Sequence, residues 1–206
     1  MKIRISTASP DALARETLIL GFFSDERPPK GYCGLVDWRL NGMISTEIAE
    51  GRISGSFLEK IAYAFPPRIR VSRLLLFGMG VLSELTYDRL YNAGFEMAKT
   101  VTGIGATDLA LPMPAAGRGS LQLAGMTEAL ITGIFDGSAQ EPERLPTLGL
   151  EIPAKVDDLS DIRMGLERFL KHTEAAEIEI FDSEMQTADN TEEFLFNGKK
   201  VQSSGD

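Results

Sequence analysis

Residues 71–80 read VSRLLLFGMG, and this stretch decides the fold class of the chain. The run from Val71 to Phe77 is almost continuously apolar, which is typical of a strand covered on both faces of a sheet. Gly78 and Gly80 end the run, and a stripe of residues at helical spacing follows: Tyr87, Leu90, Gly94, Met97 and Val101. A buried strand that ends in a turn and leads into a helix is the repeating unit of an α/β sheet.

Six more segments have the pattern of strands. Residues 17–23 (TLILGFF) form a second continuous apolar run, and residues 2–6 alternate between polar and apolar side chains. The paired prolines in residues 24–31 (SDERPPKG) predict a loop, because proline does not occupy a central strand. The other four strand candidates are residues 57–64, 108–112, 147–152 and 177–181.

Four helices are predicted between these strands. The first covers residues 33–50 and ends at Gly51, the second carries the stripe that follows Gly80, and the third carries Leu123, Met126, Leu130 and Ile134. The fourth begins at Ser160 as its N-cap, with Leu159 placed to contact Met164. Its expected core face is Met164, Leu166, Phe169 and Leu170. This alternation of elements predicts an α/β fold, a three-layer αβα sandwich around a mixed sheet.

The composition of the chain changes after Asp182. Residues 174–193 contain eight acidic side chains and no Lys or Arg, a composition that favours a solvated segment. An apolar island, Phe194 to Phe196, follows and precedes the turn dipeptide Asn197-Gly198. We therefore divide the chain into an α/β domain, residues 1–182, and an acidic polar tail, residues 183–206, in which residues 193–201 are a candidate docking strand.

Composition and charge exclude several classes of function. The 206 residues carry a net charge of −9, which disfavours nucleic acid and anionic membranes as partners. No signal peptide or membrane-spanning run is present, and the expected location is cytoplasmic. Cys33 and His172 are each the only residue of their type, which excludes a disulfide within the chain and a Cys/His zinc site. A Cys-His nucleophilic pair is formally open, but a buried thiol and a solvated histidine are favoured.

Two glycine-containing turns are candidate ligand-binding sites for an anionic small molecule. Gly78 and Gly80 lie where a strand leads into a helix, so their backbone N–H groups could face a phosphate. The turn Gly117, Arg118, Gly119 and Ser120 adds a cation and a hydroxyl before the next helix. The structural alternatives are a tight turn at the first site and, at the second, a β–α turn with an N-cap and an exposed arginine. If both turns lie at one sheet edge, they could line a single crevice.

Four segments between Thr17 and Gly137 carry a family resemblance. They are TLILGFFSD (residues 17–25), VDWRLNGMISTEIAEGRISGSF (36–57), RLLLFGMG (73–80) and LQLAGMTEALITGIFDGS (121–138). In order and character, they resemble the N-terminal domain of the leucyl aminopeptidase family. The resemblance implies a macro-domain-like αβα sandwich, in agreement with the strands and helices read from the pattern.

The resemblance does not extend to the chemistry of that family. Its two-metal peptidase site belongs to a C-terminal domain, for which this chain leaves no room after Gly137. Residues 49–52 (AEGR) repeat the end of the family's metal-binding motif, but Ile48 stands where the ligating aspartate is required. We therefore carry over no catalytic residue, no metal ligand and no cofactor, and we expect no peptidase activity.

Two function hypotheses of different classes follow. The first is a non-catalytic relative of this N-terminal domain that binds a protein partner or assembles with itself, helped by the tail. The second, by analogy with macro domains, is a small-molecule binder for ADP-ribose or a similar nucleotide, with phosphate contacts from the two glycine-containing turns. A third alternative assigns the chain to the aminopeptidases through its family alone.

Overall fold

Seven strands and five α-helices form the part of the chain that the computed structural model describes, residues 1–173 and 179–182. The strands are β1 (Lys2–Ser6), β2 (Thr17–Phe22), β3 (Lys60–Ala64), β4 (Arg73–Gly78), β5 (Asp108–Ala110), β6 (Gly149–Pro153) and β7 (Glu179–Asp182). The helices are α1 (Gly31–Arg39), α2 (Met43–Ala49), α3 (Tyr87–Gly103), α4 (Leu123–Ser138) and α5 (Leu159–His172). The predicted tail, with its candidate strand at 193–201, lies outside the described residues.

The two continuous apolar runs are buried strands near the middle of the sheet. All six residues of β2 are buried, and so are the four apolar residues of β4 from Leu74 to Phe77. The two strands pair in parallel, Thr17 opposite Arg73 and Phe22 opposite Gly78. The sequence pattern therefore predicted the centre of the sheet correctly.

The sheet is mixed, with the order β3-β4-β2-β5-β6-β1-β7. Only β3 runs antiparallel to its neighbour, and the other six strands are parallel. Alternate residues of β2 enter two separate cores: Ile19 packs on the face with α3, α4 and α5, whereas Leu18 and Leu20 pack on the face with α1 and α2. The three-layer αβα sandwich is thus confirmed. The carboxyl ends of the parallel strands lie at one edge of the sheet, which we call the carboxyl edge.

The single helix predicted for residues 33–50 is wrong, because the chain forms two helices there. Asn41 and Gly42 adopt left-handed φ values of 61° and 77°, which end α1. The buried carboxylate of Asp37 then accepts hydrogen bonds from the backbone N–H groups of Ile44 and Ser45 at the start of α2. A side chain of the first helix, seven residues before Ile44, therefore stabilises the start of the second helix.

Two other local predictions need correction. Ser160 does not cap α5, because the helix begins at Leu159 and Asp158 occupies the N-cap position. Met164 is 44% exposed, so it does not belong to the core face or contact Leu159 there; the buried face is set by Ile162, Leu166 and Phe169. The strand predicted for residues 57–64 begins only at Lys60.

Candidate functional site

Three loops converge over the carboxyl edge of β2, and they bring the two glycine-containing turns together. A Cβ atom placed on Gly21 would lie 2.7 Å from Pro114 Cβ and 3.0 Å from Met79 Cγ, so the loops after β4 and β5 meet at this point. A Cβ on Gly119 would lie 3.6 Å from Leu82 Cδ1. Both turns therefore lie at the carboxyl edge, which is the arrangement that a shared site requires.

The first turn has no free donor for an anion. The N–H groups of Gly78, Met79 and Gly80 donate to the carbonyl oxygens of Glu59, Phe22 and Gly55 at 2.8, 2.8 and 2.9 Å. A Cβ on Gly78 would lie 2.0 Å from the carbonyl oxygen of Ser56, so glycine is required there for close packing. The geometry fits the tight-turn alternative at Gly78 and Gly80.

The second turn is open. Gly117 and Gly119 have positive φ values of 68° and 76°, and a Cβ on Gly117 would meet nothing within 4 Å. Within the described part of the chain, no group accepts a hydrogen bond from the N–H groups of Gly117, Gly119 or Ser120. These three exposed donors lie just before α4, where the positive end of the helix dipole favours an anion.

Arg118 is not the exposed arginine of the structural alternative. Its Nη1 donates to both carboxylate oxygens of the buried Glu26, and its Nη2 donates to the carbonyl oxygen of Pro114. The guanidinium also lies 5.3 Å from the centre of the Phe23 ring. Glu26 neutralises this cation, so Arg118 joins the loops after β2 and β5 and does not present a free charge to a ligand.

The other chemical candidates have structural roles in the described residues. Cys33 is buried, and burial, followed by the nearby Asp37 carboxylate, raises the pKa of its thiol to about 12. The side chain of His172 lies outside the description. In the AEGR segment, Arg52 bonds the Glu47 carboxylate at 2.6 Å and also pairs with Glu50. Across residues 1–173 and 179–182, no group of three His, Cys, Asp or Glu side chains is placed to hold a metal ion.

One residue of α1, Trp38, is strongly exposed, and the sequence analysis did not single it out. Trp38 is 72% exposed, whereas Val36 and Leu40 on the same helix are buried. The indole borders a cleft of about 340 Å³, which we call the Trp38 cleft and which is lined by Pro28, Pro29, Gly34, Asp37, Trp38, Asn41 and Gly42. The sequence could have indicated this exposure, because Trp38 is two positions from Val36 and such a residue lies on the opposite side of a helix.

Two cationic residues adjoin the prolines of the Trp38 cleft in the sequence. Arg27 precedes Pro28 and Lys30 follows Pro29; both are exposed, and no carboxylate among the described residues pairs with either. Arg39 lies 5.7 Å from the Trp38 ring and bonds Asp11 at 2.7 Å. Among the described residues, the carboxylate that lines the cleft is that of Asp37, and α2 uses both of its oxygens. The cleft therefore presents mainly the Trp38 ring and the two prolines to a partner.

No helix in the described part of the chain has the length and apolar character needed to cross a membrane.

A second large apolar side chain, Phe65, is 80% exposed directly after β3. It lies at the opposite edge of the sheet from the carboxyl ends of the parallel strands, because β3 is antiparallel. Phe65 therefore provides a control for experiments on Trp38.

The sheet order and the three layers define a macrodomain-like α/β fold. The chain is similar to the Oceanobacillus iheyensis macrodomain with ADP, with a TM-score of 0.65 and 8% identity over 81% of this chain and 90% of that one. A mutant of tomato leucine aminopeptidase gives a TM-score of 0.59 and 18% identity over 82% of this chain and 36% of that one. At these identities, the likeness concerns the fold alone.

The family is shown by the sequence. The profile described as "Cytosol aminopeptidase family, N-terminal domain" matches residues 19–140, and the chain belongs to this family. A Picosynechococcus sp. protein named "Probable cytosol aminopeptidase" is 28% identical over 155 residues, 73% of this chain. The chain spans about a third of that relative, 31% of its length. The resemblance read from residues 17–137 is confirmed.

Proposed function

We propose that this chain is a non-catalytic interaction domain that binds protein, a second copy of itself or another chain, through the Trp38 cleft. The observation that carries the proposal is the 72% exposure of Trp38 beside the cleft. Tryptophan is enriched among the residues that dominate the energetics of protein interfaces, because it buries a large rigid surface and retains a polar N–H group.

The arrangement of the cleft supports a surface built for contact. Asp37 joins α1 to the first turn of α2, and Trp38, Asn41 and Gly42, which lie between these contacts in the sequence, line the cleft. Pro28 and Pro29 also line the cleft, and their rings restrict the conformational freedom of the backbone there. A partner would therefore dock on walls that are already ordered, which lowers the entropic cost of binding.

Light scattering coupled to size exclusion tests this proposal on the full chain. We expect a defined oligomer for the wild-type chain and a lower mass for Trp38→Ser, because the substitution removes the indole from the interface. Phe65→Ser is the matched control, since it removes another exposed aromatic ring and should leave the mass unchanged. Equal masses for all three proteins would overturn self-assembly through this cleft.

The second candidate function is binding of an anionic small molecule such as ADP-ribose in the crevice. The specific observation in its favour is that no described residue accepts a hydrogen bond from the N–H groups of Gly117, Gly119 and Ser120. The similar Oceanobacillus iheyensis macrodomain was solved with ADP. In this candidate, Gly78 and Gly80 would shape the crevice floor, and Arg118 would support the loop through Glu26.

Calorimetric titration with ADP-ribose and with ADP tests the second candidate. Ser120→Glu places a carboxylate beside the three donors and should abolish saturable binding by charge repulsion, while remaining compatible with the start of α4. Ser120→Ala is the matched control, because it keeps the backbone donors and should retain most of the binding. A flat titration of the wild-type chain at millimolar ligand would remove this candidate.

A further inference from the structure

We propose that the outer edge of β3 is a second contact surface, where β3 of another copy of this chain adds to the sheet as an antiparallel strand. The surface is separate from the Trp38 cleft and is formed by the strand itself, residues 60–64. Both copies contribute the same residues, so the contact is isologous and a twofold axis passes midway between the two Ala62 residues.

β3 lies at one end of the sheet order, so no other described strand pairs with its outer side. Two hydrogen bonds show which of its residues face β4. The carbonyl oxygen of Glu59 accepts from the N–H of Gly78 at 2.8 Å. Beyond the other end of the strand, the N–H of Phe65 donates to the carbonyl oxygen of Ser72 at 2.8 Å. Hydrogen-bonded positions alternate along an antiparallel pair, so the odd-numbered residues of β3 direct their backbone groups toward β4.

The even-numbered residues Lys60, Ala62 and Ala64 therefore direct their N–H and C=O groups outward. All three residues are exposed, and no described residue forms a hydrogen bond with these backbone groups. Unpaired donors and acceptors along an edge strand are a template for another strand. β3 therefore offers every second residue to a partner, which is the spacing that an added strand requires.

β3 lacks the features that usually protect an edge strand. No proline or glycine interrupts residues 60–64, and the paired prolines follow only after the strand has ended. Lys60 is the one charged residue of the strand, but it bonds Glu96 of α3 at 2.6 Å, so its charge is neutralised within its own molecule. The two outward alanines have small side chains, which leave a neighbouring strand free to approach.

The side chains of β3 select a second copy as the partner. The axis places Ala62 opposite its own copy, and Ile61 then lies opposite Tyr63 of the other strand. Both of these residues are half-buried on the core beneath α1 and α2, and a β-branched and aromatic pair across two strands covers the parts that are still exposed. Lys60 lies opposite Ala64, so the two lysines do not face each other. The pairing is therefore complementary in both shape and charge.

Position 62 faces itself across the axis, so charge variants at this residue test the ladder. They are made in the full-length Trp38→Ser chain, whose association no longer uses the indole of the Trp38 cleft. We expect this chain to be a dimer in light scattering coupled to size exclusion. Adding Ala62→Lys or Ala62→Glu should halve the mass, because like charges then face each other.

Mixing the two charge variants gives the decisive comparison. Opposite charges then meet at the axis, so an equimolar mixture of Trp38→Ser/Ala62→Lys and Trp38→Ser/Ala62→Glu should form a heterodimer with the mass of the Trp38→Ser dimer. This recovery would also show that neither variant is misfolded. A mixture that remains monomeric would overturn the inference.

The role of the backbone is tested separately in the same background. Ala62→Pro removes the outward N–H and leaves the ladder with β4 intact, since an edge strand accepts proline where its N–H faces away from the sheet. The dimer should therefore be lost. Ala62→Thr is the matched control, because it keeps the N–H and favours a strand, so the dimer should remain. Equal masses for the two variants would contradict a main-chain ladder.

Amide hydrogen exchange locates the contact without any substitution at the edge. The N–H groups of Ile61 and Tyr63 face β4 and should be protected at every protein concentration. Those of Ala62 and Ala64 should become protected only as the concentration rises. Protection of Ala62 at every concentration would mean that another segment of the same chain covers the edge, against the inference.

The inference and the proposed function fail in distinguishable ways. If the wild-type chain is an oligomer and Trp38→Ser is a monomer, the cleft carries self-assembly and the edge of β3 is overturned as a contact. If Ala62→Lys lowers the mass of the wild-type chain while Trp38→Ser does not, the edge stands and self-assembly through the cleft fails. Phe65→Ser is a control for both, since Phe65 has a φ of 50° and lies beyond the paired residues.

Discussion

The two helical layers of the sandwich are built in opposite ways. On one face, α3, α4 and α5 are long helices that approach one another closely. On the other face, α1 and α2 are short, separated by the left-handed turn at Asn41 and Gly42, and leave Trp38 largely exposed. The helices α3, α4 and α5 pack tightly against one another, whereas the layer of α1 and α2 leaves an apolar side chain exposed at its surface.

In the layer of α3, α4 and α5, which we call the long layer, glycines allow the helices to approach one another closely. A Cβ on Gly133 would lie 2.0 Å from the carbonyl oxygen of Tyr91, and one on Gly94 would lie 2.3 Å from that of Leu130. Gly165 in α5 is equally close to α4, with 2.4 Å to the carbonyl oxygen of Ala124. The backbones themselves are in contact there, which leaves no room for side chains between the helices.

The short layer contributes to stability only through its inner side. Cys33, Val36, Leu40, Ile44 and Ile48 are buried against β2 and β4, while Leu35 and Trp38 face outward. Both faces of the sheet therefore contribute to stability, and the proposed interaction surface lies on the outer side of α1. Substitutions in the long layer should affect folding, and those on the outer side of α1 should affect association.

The largest effect on stability is expected at the ion pair of Arg118 and Glu26, which joins the loops after β2 and β5. Arg118→Ala leaves the buried Glu26 carboxylate without its partner and should lower the free energy of unfolding by about 4 kcal/mol. The double variant Arg118→Leu/Glu26→Leu removes both charges and should recover most of the loss. Urea denaturation measures both; an equal loss in the two variants would show that packing, rather than the buried charge, carries the effect.

The close helix contact is the next test. Gly133→Ala forces α3 and α4 apart and should lower the free energy of unfolding by about 3 kcal/mol. Gly103→Ala is the matched control, since a Cβ there meets nothing within 4 Å and should stabilise the chain by about 0.5 kcal/mol. Similar denaturation midpoints for the two variants would contradict the assignment of stability to this layer.

On α1, two neighbouring positions should separate stability from binding. Val36→Ala, inside the core, should cost about 2 kcal/mol, whereas Trp38→Ser should change the free energy of unfolding by less than about 0.5 kcal/mol. Both values come from denaturation of the monomer at low protein concentration. A large loss in Trp38→Ser would mean that the indole supports the fold, and the division between the two sides of α1 would fail.

The smallest effect concerns a surface carboxylate that links β3 to α3. Hydrogen bonds from Lys60 and then Lys99 hold the pKa of Glu96 below its ordinary value. A depressed pKa in the folded state stabilises the fold above the unfolded pKa and is lost as the pH falls through the folded pKa. Glu96→Gln should therefore cost less than about 1 kcal/mol at pH 7, and the difference from wild type should disappear in acid.

The control for this titration is Glu143→Gln. Glu143 is exposed, and no cation among the described residues pairs with its carboxylate. Its variant should match the wild-type stability at both pH values. A Glu96 effect that persists unchanged in acid would point to packing of the side chain instead of its charge.

The sequence by itself determined the central strands and the order of the elements. The apolar runs of β2 and β4 have few alternatives to burial on both faces, since exposing them to water is costly. The family could also be read from segments 17–25, 36–57, 73–80 and 121–138, and the profile match over residues 19–140 confirms it. Local pattern was less successful at α1 and α2, where the turn at Asn41 and Gly42 was missed.

Only the tertiary structure decided what the candidate sites present to a partner. The pairing of Arg118 with Glu26 joins residues 92 positions apart, so no local pattern distinguishes this arginine from an exposed one. Carbonyl groups of other loops accept hydrogen bonds from the N–H groups of Gly78 and Gly80, whereas no described residue does so for Gly117, Gly119 and Ser120. Strand and helix periodicity is set by neighbours within a few residues, but the availability of a donor, a charge or an indole depends on which distant segments fold against it.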